Sequence, residues 1–158
     1  MSGLRVGYVA TRSAVIQERI QKLLRCTING VNSLAQWAAL AAVTGPQEHL
    51  GAMRDEYTVR RDLLLAALDG VPGVRAFTPR GAFYVWAEVD ASLYQRLGVN
   101  GADELSSKLA ANGIGSAPGD AFGEHCADAI RFAFSCDTEM VRTGSTVLRA
   151  ALMDDEAL

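Results

Sequence analysis

Apolar and polar positions repeat with different periods along this chain, and the changes of period mark its elements. Leu4-Arg5-Val6-Gly7-Tyr8-Val9 alternates loosely and is rich in β formers, which predicts a strand. Ser13 is placed to cap a helix reaching about Leu24, with Ile16, Ile20, Leu23 and Leu24 on one face. Cys26 to Val31 reads as a loop. Asn32 or Ser33 then caps an alanine-rich helix to about Thr44, apolar nearly all round from Leu34 to Val43 and so expected to be buried on several sides. Gly45-Pro46 separates it from the longest helix, about Gln47 to Leu68. There Leu50, Met53, Tyr57, Leu64, Leu65 and Leu68 alternate with a solvated face of Arg54, Arg60, Arg61 and Asp62. Gly70-Val71-Pro72-Gly73 ends that helix.

The texture then shortens. Strands are predicted over Val74 to Phe77 and Ala82 to Val89, a helix over Ala102 to Asn112 and a short strand over Ile114 to Ala117. A strand over Ala129 to Phe134 and a last helix over Thr138 to Leu152, capped by Thr138, complete the pattern. The tail from Asp154 onward is expected to fray. The fold class is α/β in two parts. Residues 1–57 are helical apart from one strand with no visible partner. Residues 58–158 form an α+β unit with helices on one face of a small sheet. A strand without a partner exposes backbone groups on both edges, so the first part reads as belonging to a larger sheet.

Composition narrows the function. The chain has 158 residues, 49% hydrophobic and 21% charged, and a net charge of -3. No stripe of Lys or Arg forms, which argues against nucleic acid as a partner. The longest apolar stretch, Trp37 to Val43, is too short to cross a bilayer, and Met1 to Ala10 lacks the apolar centre of a signal peptide. A cytoplasmic protein with no membrane association is expected. Cys26, Cys126 and Cys136 are odd in number and widely spaced, and are read as buried reduced thiols rather than metal ligands or a disulfide.

No nucleophilic triad and no G-x-S-x-G is present. Gly113-Ile114-Gly115 lacks the third glycine of a dinucleotide loop. Two arginines stand out by their settings. Arg5 lies in the first predicted strand, and Arg131 lies in the apolar run Ala129-Ile130-Arg131-Phe132-Ala133-Phe134. Each is either an edge arginine with its head in water or a fork that grips a phosphate or carboxylate.

Several segments carry a family resemblance. Met1-Ser2-Gly3-Leu4-Arg5-Val6-Gly7-Tyr8 resembles the end of the motif S-K-x-x-x-x-x-G-x-R-x-G-Y of class I/II aminotransferases, which depend on pyridoxal phosphate (PLP). Val31 to Gln36 resembles the segment before the helix leading to the small domain of that family. Pro79-Arg80-Gly81-Ala82-Phe83-Tyr84 resembles its P-x-G-x-F-Y, and Pro118-Gly119-Asp120-Ala121-Phe122-Gly123 its P-G-x-x-F-G. Ile130 to Phe134 resembles the strand whose arginine clamps the substrate α-carboxylate.

The resemblance implies the C-terminal part of a fold-type-I PLP-dependent transferase: a remnant of the large domain followed by the small domain. It implies transfer of an amino group between an L-amino acid and a 2-oxo acid, in a homodimer, with PLP as cofactor. Arg5 would bind the PLP phosphate and Arg131 the substrate carboxylate, while Phe83 and Tyr84 would line the substrate side. The Schiff-base lysine is expected upstream of Met1, so no catalytic residue is assigned within the chain, which is expected to be inactive alone. Lys22 and Lys108 stand outside the motif and read as solvated surface lysines. A lyase or decarboxylase of the same fold would use the same arginines, and a non-catalytic interaction module is the other alternative.

Overall fold

The computed structural model describes residues 1–154, so most of the tail expected to fray lies outside the described residues. The chain separates into two compact units that divide between His49 and Leu50.

The first unit holds a short 3-10 turn, Ser2–Leu4, and helices α1 (Ala14–Thr27) and α2 (Ser33–Thr44). The strand expected over Leu4 to Val9 does not form. A strand exists by pairing, and no other extended segment in this unit offers a ladder. Arg5 instead takes a left-handed φ of 52°. Ser13 caps α1, its side chain accepting from the Ile16 N–H, and Asn32 caps α2 by accepting from Leu34 and Ala35. Helix α1 runs one turn past its expected end and absorbs Cys26. The apolar circumference of α2 is not buried as the sequence suggests. Only Ala35 is buried, while Leu34, Trp37 and Val43 are 77%, 70% and 75% exposed. The unit supplies one other long helix, too little surface to cover a helix that is apolar on every side.

Helix α3 (His49–Leu68) leads into the second unit, a four-stranded antiparallel sheet with helices on one face. The strands are β1 (Val74–Phe77), β2 (Tyr84–Val89), β3 (Ser116–Pro118) and β4 (Ala129–Ala133), in the order β1-β2-β4-β3. Alternation in β2 sends Val85, Ala87 and Val89 inward, and the register sets Val85 opposite Phe132 and Ala87 opposite Ile130. These residues meet Leu64 and Leu68 of α3, Leu105 and Leu109 of α5 (Ala102–Ala111), and Val141, Leu148 and Leu152 of α6 (Thr138–Met153). One further helix, α4 (Ala91–Arg96), was not legible in the sequence because it is a single short run. Asp90 caps it, and hydrogen bonds from Ser92, side chain first and then backbone, hold its carboxyl below the usual range. Asp137, not Thr138, caps α6 by accepting from the Met140 N–H.

The three thiols are free but not buried. Cys26 and Cys136 are exposed and Cys126 is half-buried, because each falls at a helix end or in a loop rather than on a core face.

Candidate functional site

The sheet face turned away from the helices carries the chemistry. Because β2 and β4 alternate in phase, Tyr84, Trp86 and Arg131 all point to this open side and are half-buried. Trp86 faces Arg131 directly across the ladder, and Tyr84 is its diagonal neighbour, paired with Ala133. The Arg131 guanidinium carbon lies 4.1 Å from the centroid of the Tyr84 ring and 4.4 Å from that of Phe122. Trp86 meets Phe122 edge to face at 5.7 Å.

Phe122 reaches Arg131 through a local device. The segment after β3 forms a 3-10 turn, Gly119–Phe122, whose first residue runs hard against the chain ahead. A Cβ on Gly119 would overlap the Cys126 carbonyl oxygen and lie 2.9 Å from that of Ala129. Only glycine lets this turn fold back onto the start of β4. At the other end of the strands, Ala82 takes a φ of 60° and the Phe134 N–H donates to the Phe83 carbonyl at 2.9 Å. That bond sets the start of β2 beside the end of β4. Phe83 packs on Tyr84 with ring centroids 4.7 Å apart.

The chemical consequence follows from what Arg131 does not do. A guanidinium over aromatic faces spends its π surface and keeps its in-plane N–H donors. Among the described residues no hydrogen bond or ion pair engages those donors. A half-buried fork with unspent donors suits a planar anion such as a carboxylate. A concavity on the same sheet, lined by Arg75, Glu88, Asp90, His125 and Asp128 among others, suits an anion poorly. Its arginine already pairs with Glu88, and further carboxylates surround it. Among the described residues no group of His, Cys, Asp or Glu could hold a metal ion, and no helix is long and apolar enough to cross a membrane.

The structure brings together three of the four residues singled out in the sequence: Arg131, Tyr84 and Phe83. Arg5 lies in the first unit, exposed, and no ion pair engages it among the described residues. Lys22 is exposed on α1. Lys108 is half-buried rather than solvated, its ammonium donating to the Leu97 carbonyl at 3.3 Å. Two site residues escaped the sequence reading, Phe122 and Trp86. The motif Pro118 to Gly123 marked the turn, but which ring it delivers, and to what, depends on a register that the sequence does not state.

Comparison with known proteins identifies the family that the chain resembles. The family model for aminotransferases of class I and II matches residues 1–148. An aspartate aminotransferase of Musicola paradisiaca (strain Ech703) is 27% identical over 158 residues, covering 99% of this chain and 38% of the relative. An aspartate/prephenate aminotransferase of Cereibacter sphaeroides (strain ATCC 17029 / ATH 2.4.9) is 32% identical over 95% of this chain and 38% of its own length. Among solved structures, aspartate aminotransferase from Thermus thermophilus with maleate superposes with a TM-score of 0.73 at 28% identity, covering 96% of this chain and 37% of that one. The aromatic aminotransferase from Pyrococcus horikoshii OT3 gives a TM-score of 0.79 at 24% identity over 100% of this chain and 41% of that one, a likeness of fold. The chain spans less than two fifths of the length of the curated relatives named here.

Proposed function

Because this chain belongs to the class I and II aminotransferase family, we propose that it carries the substrate-carboxylate clamp of a PLP-dependent aminotransferase, with Arg131 as the clamping residue. The observation behind this is the half-buried Arg131 guanidinium, stacked over Tyr84 and Phe122 with its donors unspent among the described residues. On this reading residues 1–57 contribute to the large domain and residues 58–158 form the small one. The substrates are an L-amino acid and a 2-oxo acid, and the working enzyme is a cytoplasmic homodimer.

The residues present fit one end of the cofactor. Arg5 is an exposed cation without an ion pair among the described residues, between Gly3 and Gly7, where a Cβ would meet nothing within 4 Å. Such a cation with open backbone beside it suits a phosphate. Neither lysine stands beside Arg5 in the sequence as a partner for the PLP aldehyde: Lys22 is exposed in mid-helix, and Lys108 donates to the Leu97 carbonyl. PLP supplies an electron sink when bound. What the chain itself does is bind and orient. Arg131 grips the carboxylate in the guanidinium plane. Tyr84 and Phe122 hold that plane and keep water from its faces. Phe83 closes the side of the site next to Tyr84.

Titration of the chain with pyruvate, followed through the arginine Nε–H resonances, tests the assignment. The Arg131 resonance and the neighbouring β4 amides are expected to move with saturation, and Arg131→Met to lose the β4 amide response while keeping the folded backbone spectrum. An equal response in Arg131→Met would assign the carboxylate elsewhere.

A further inference from the structure

A continuous path of contacts joins the Arg131 site to the hydrogen-bonded base of α6. Tyr57 of α3 stands at its centre. Its ring stacks on Phe83 with centroids 6.3 Å apart and planes 26° apart, and meets Phe134 edge to face at 6.3 Å. Phe83 in turn packs on Tyr84 at 4.7 Å, and Tyr84 lies under the Arg131 guanidinium at 4.1 Å. On its other side Tyr57 receives the Arg60 guanidinium, 5.2 Å from its ring centroid.

Arg60 is 9% exposed, although the sequence places it on a solvated face. Its charge is met on several sides: it pairs with Glu56 one turn earlier, donates to the Thr138 hydroxyl at 3.1 Å and covers Tyr57. Thr138 also donates to Glu56 at 3.3 Å. A charge buried this deeply persists only when its partners hold it, so this cluster ties α3 to the first turn of α6. Tyr57 is thereby fixed in place, and each ring beyond it is braced by the one before.

We propose that Tyr57 is a positioning residue for the Arg131 guanidinium, acting through Phe83 and Tyr84 and itself held by Arg60. The inference rests on the reading of Arg131 as the carboxylate clamp, and it adds the residue that sets the clamp's orientation. Tyr84 stands on an open sheet face and has no hydrogen bond to fix its ring among the described residues. Its bracing comes from Phe83, whose own backbone is pinned to Phe134, the other ring that Tyr57 touches.

The test uses the whole chain and the arginine Nε–H resonances. Ring currents from Tyr84 and Phe122 shift the Arg131 signal away from that of a solvated arginine. Tyr57→Leu keeps apolar bulk but removes the ring, and is expected to move the Arg131 signal toward the solvated position while the β4 amide pattern persists. Tyr57→Phe is expected to restore it. Affinity for propanoate should fall by roughly two- to tenfold in Tyr57→Leu, the range one aromatic pair commands. Phe83→Leu, which breaks the same path one ring later, is expected to match it and serves if Tyr57→Leu does not fold. An unmoved Arg131 signal in whichever of these variants folds overturns the proposal. If the signal moves in Tyr57→Leu but propanoate never perturbs it in the unaltered chain, the positioning stands and the carboxylate reading falls.

Discussion

The guanidinium of Arg131 rests 4.1 Å from the ring of Tyr84, its diagonal neighbour, rather than over Trp86, the residue directly across the ladder. The offset matters because diagonal pairs lie far enough apart for a long side chain to lay its flat head over a ring. Trp86 is freed to buttress Phe122 instead, edge to face at 5.7 Å. The result is a flat cation held by stacking, with its hydrogen-bonding edge unengaged among the described residues.

Arg131→Ala should remove carboxylate binding. Truncating one partner of a desolvated charge pair costs about 2–5 kcal/mol, and the half-buried setting places this site toward the lower end. Arg131→Lys should recover only part of it, because an ammonium keeps the charge and loses the planar fork. Affinity for a 2-oxo acid by titration separates the two variants. Equal binding by Arg and Lys would show that charge alone, not the fork, holds the carboxylate.

Gly119→Ala should disturb the site without touching it. The added Cβ would collide with the backbone at Cys126 and Ala129, so the turn that carries Phe122 must shift. The expected signature is loss of the Phe122 contribution to the Arg131 resonance while Tyr84 still contributes. Retention of both ring-current effects would mean that the turn absorbs the methyl elsewhere.

The core that supports the site should be sensitive to cavities. Leu105 is fully buried between the sheet and its helices. Leu105→Ala should cost about 2–5 kcal/mol, as buried leucine truncations do. Hydrogen exchange at β4 amides reads this as a loss of protection. A change below about 1 kcal/mol would place Leu105 outside the cooperative core.

Arg149 should act as a staple between helices. It donates to the carbonyls of Ala66, Ala67 and Asp69 at 3.3, 3.1 and 2.7 Å, where α3 ends and its last acceptors lack helical donors. Arg149→Met keeps the stem and should cost about 1 kcal/mol, the scale of such bonds at an exposed position. Denaturant unfolding measures it, and an unchanged midpoint would make the bonds incidental.

The second unit was largely legible in the sequence because its signals are local. Alternation in Tyr84 to Val89, the apolar run at Ala129 and the glycine–proline punctuation each point to an element that forms. In the first unit both helices and their caps at Ser13 and Asn32 were legible too, but the strand was not, because the alternation at Leu4 to Val9 describes a strand only if something pairs with it. Arg131 could be picked out as a charge in an apolar strand, and the P-G-x-x-F-G segment as a turn. That Phe122 lies over Arg131, or that Arg60 is buried, depends on strand register and helix packing. Neither leaves a local trace beyond the four-residue spacing of Glu56 and Arg60.

That difference between the units should appear in solution. Leu34, Trp37 and Val43 are exposed in the first unit, whereas Ile130 and Phe132 are buried in the second. Amides of residues 4–43 are therefore expected to exchange faster than those of β4 in a monomeric sample. Equal protection in a monomer would show that the first unit is independently stable.

The most direct test of the Arg131 assignment is a crystal structure of the chain with a 2-oxo acid. The expected result is the carboxylate in the plane of the Arg131 guanidinium, joined by two parallel hydrogen bonds of about 2.7–2.9 Å, with Tyr84 and Phe122 still stacked on it. A carboxylate bound at another cation, with Arg131 left unengaged, would contradict it.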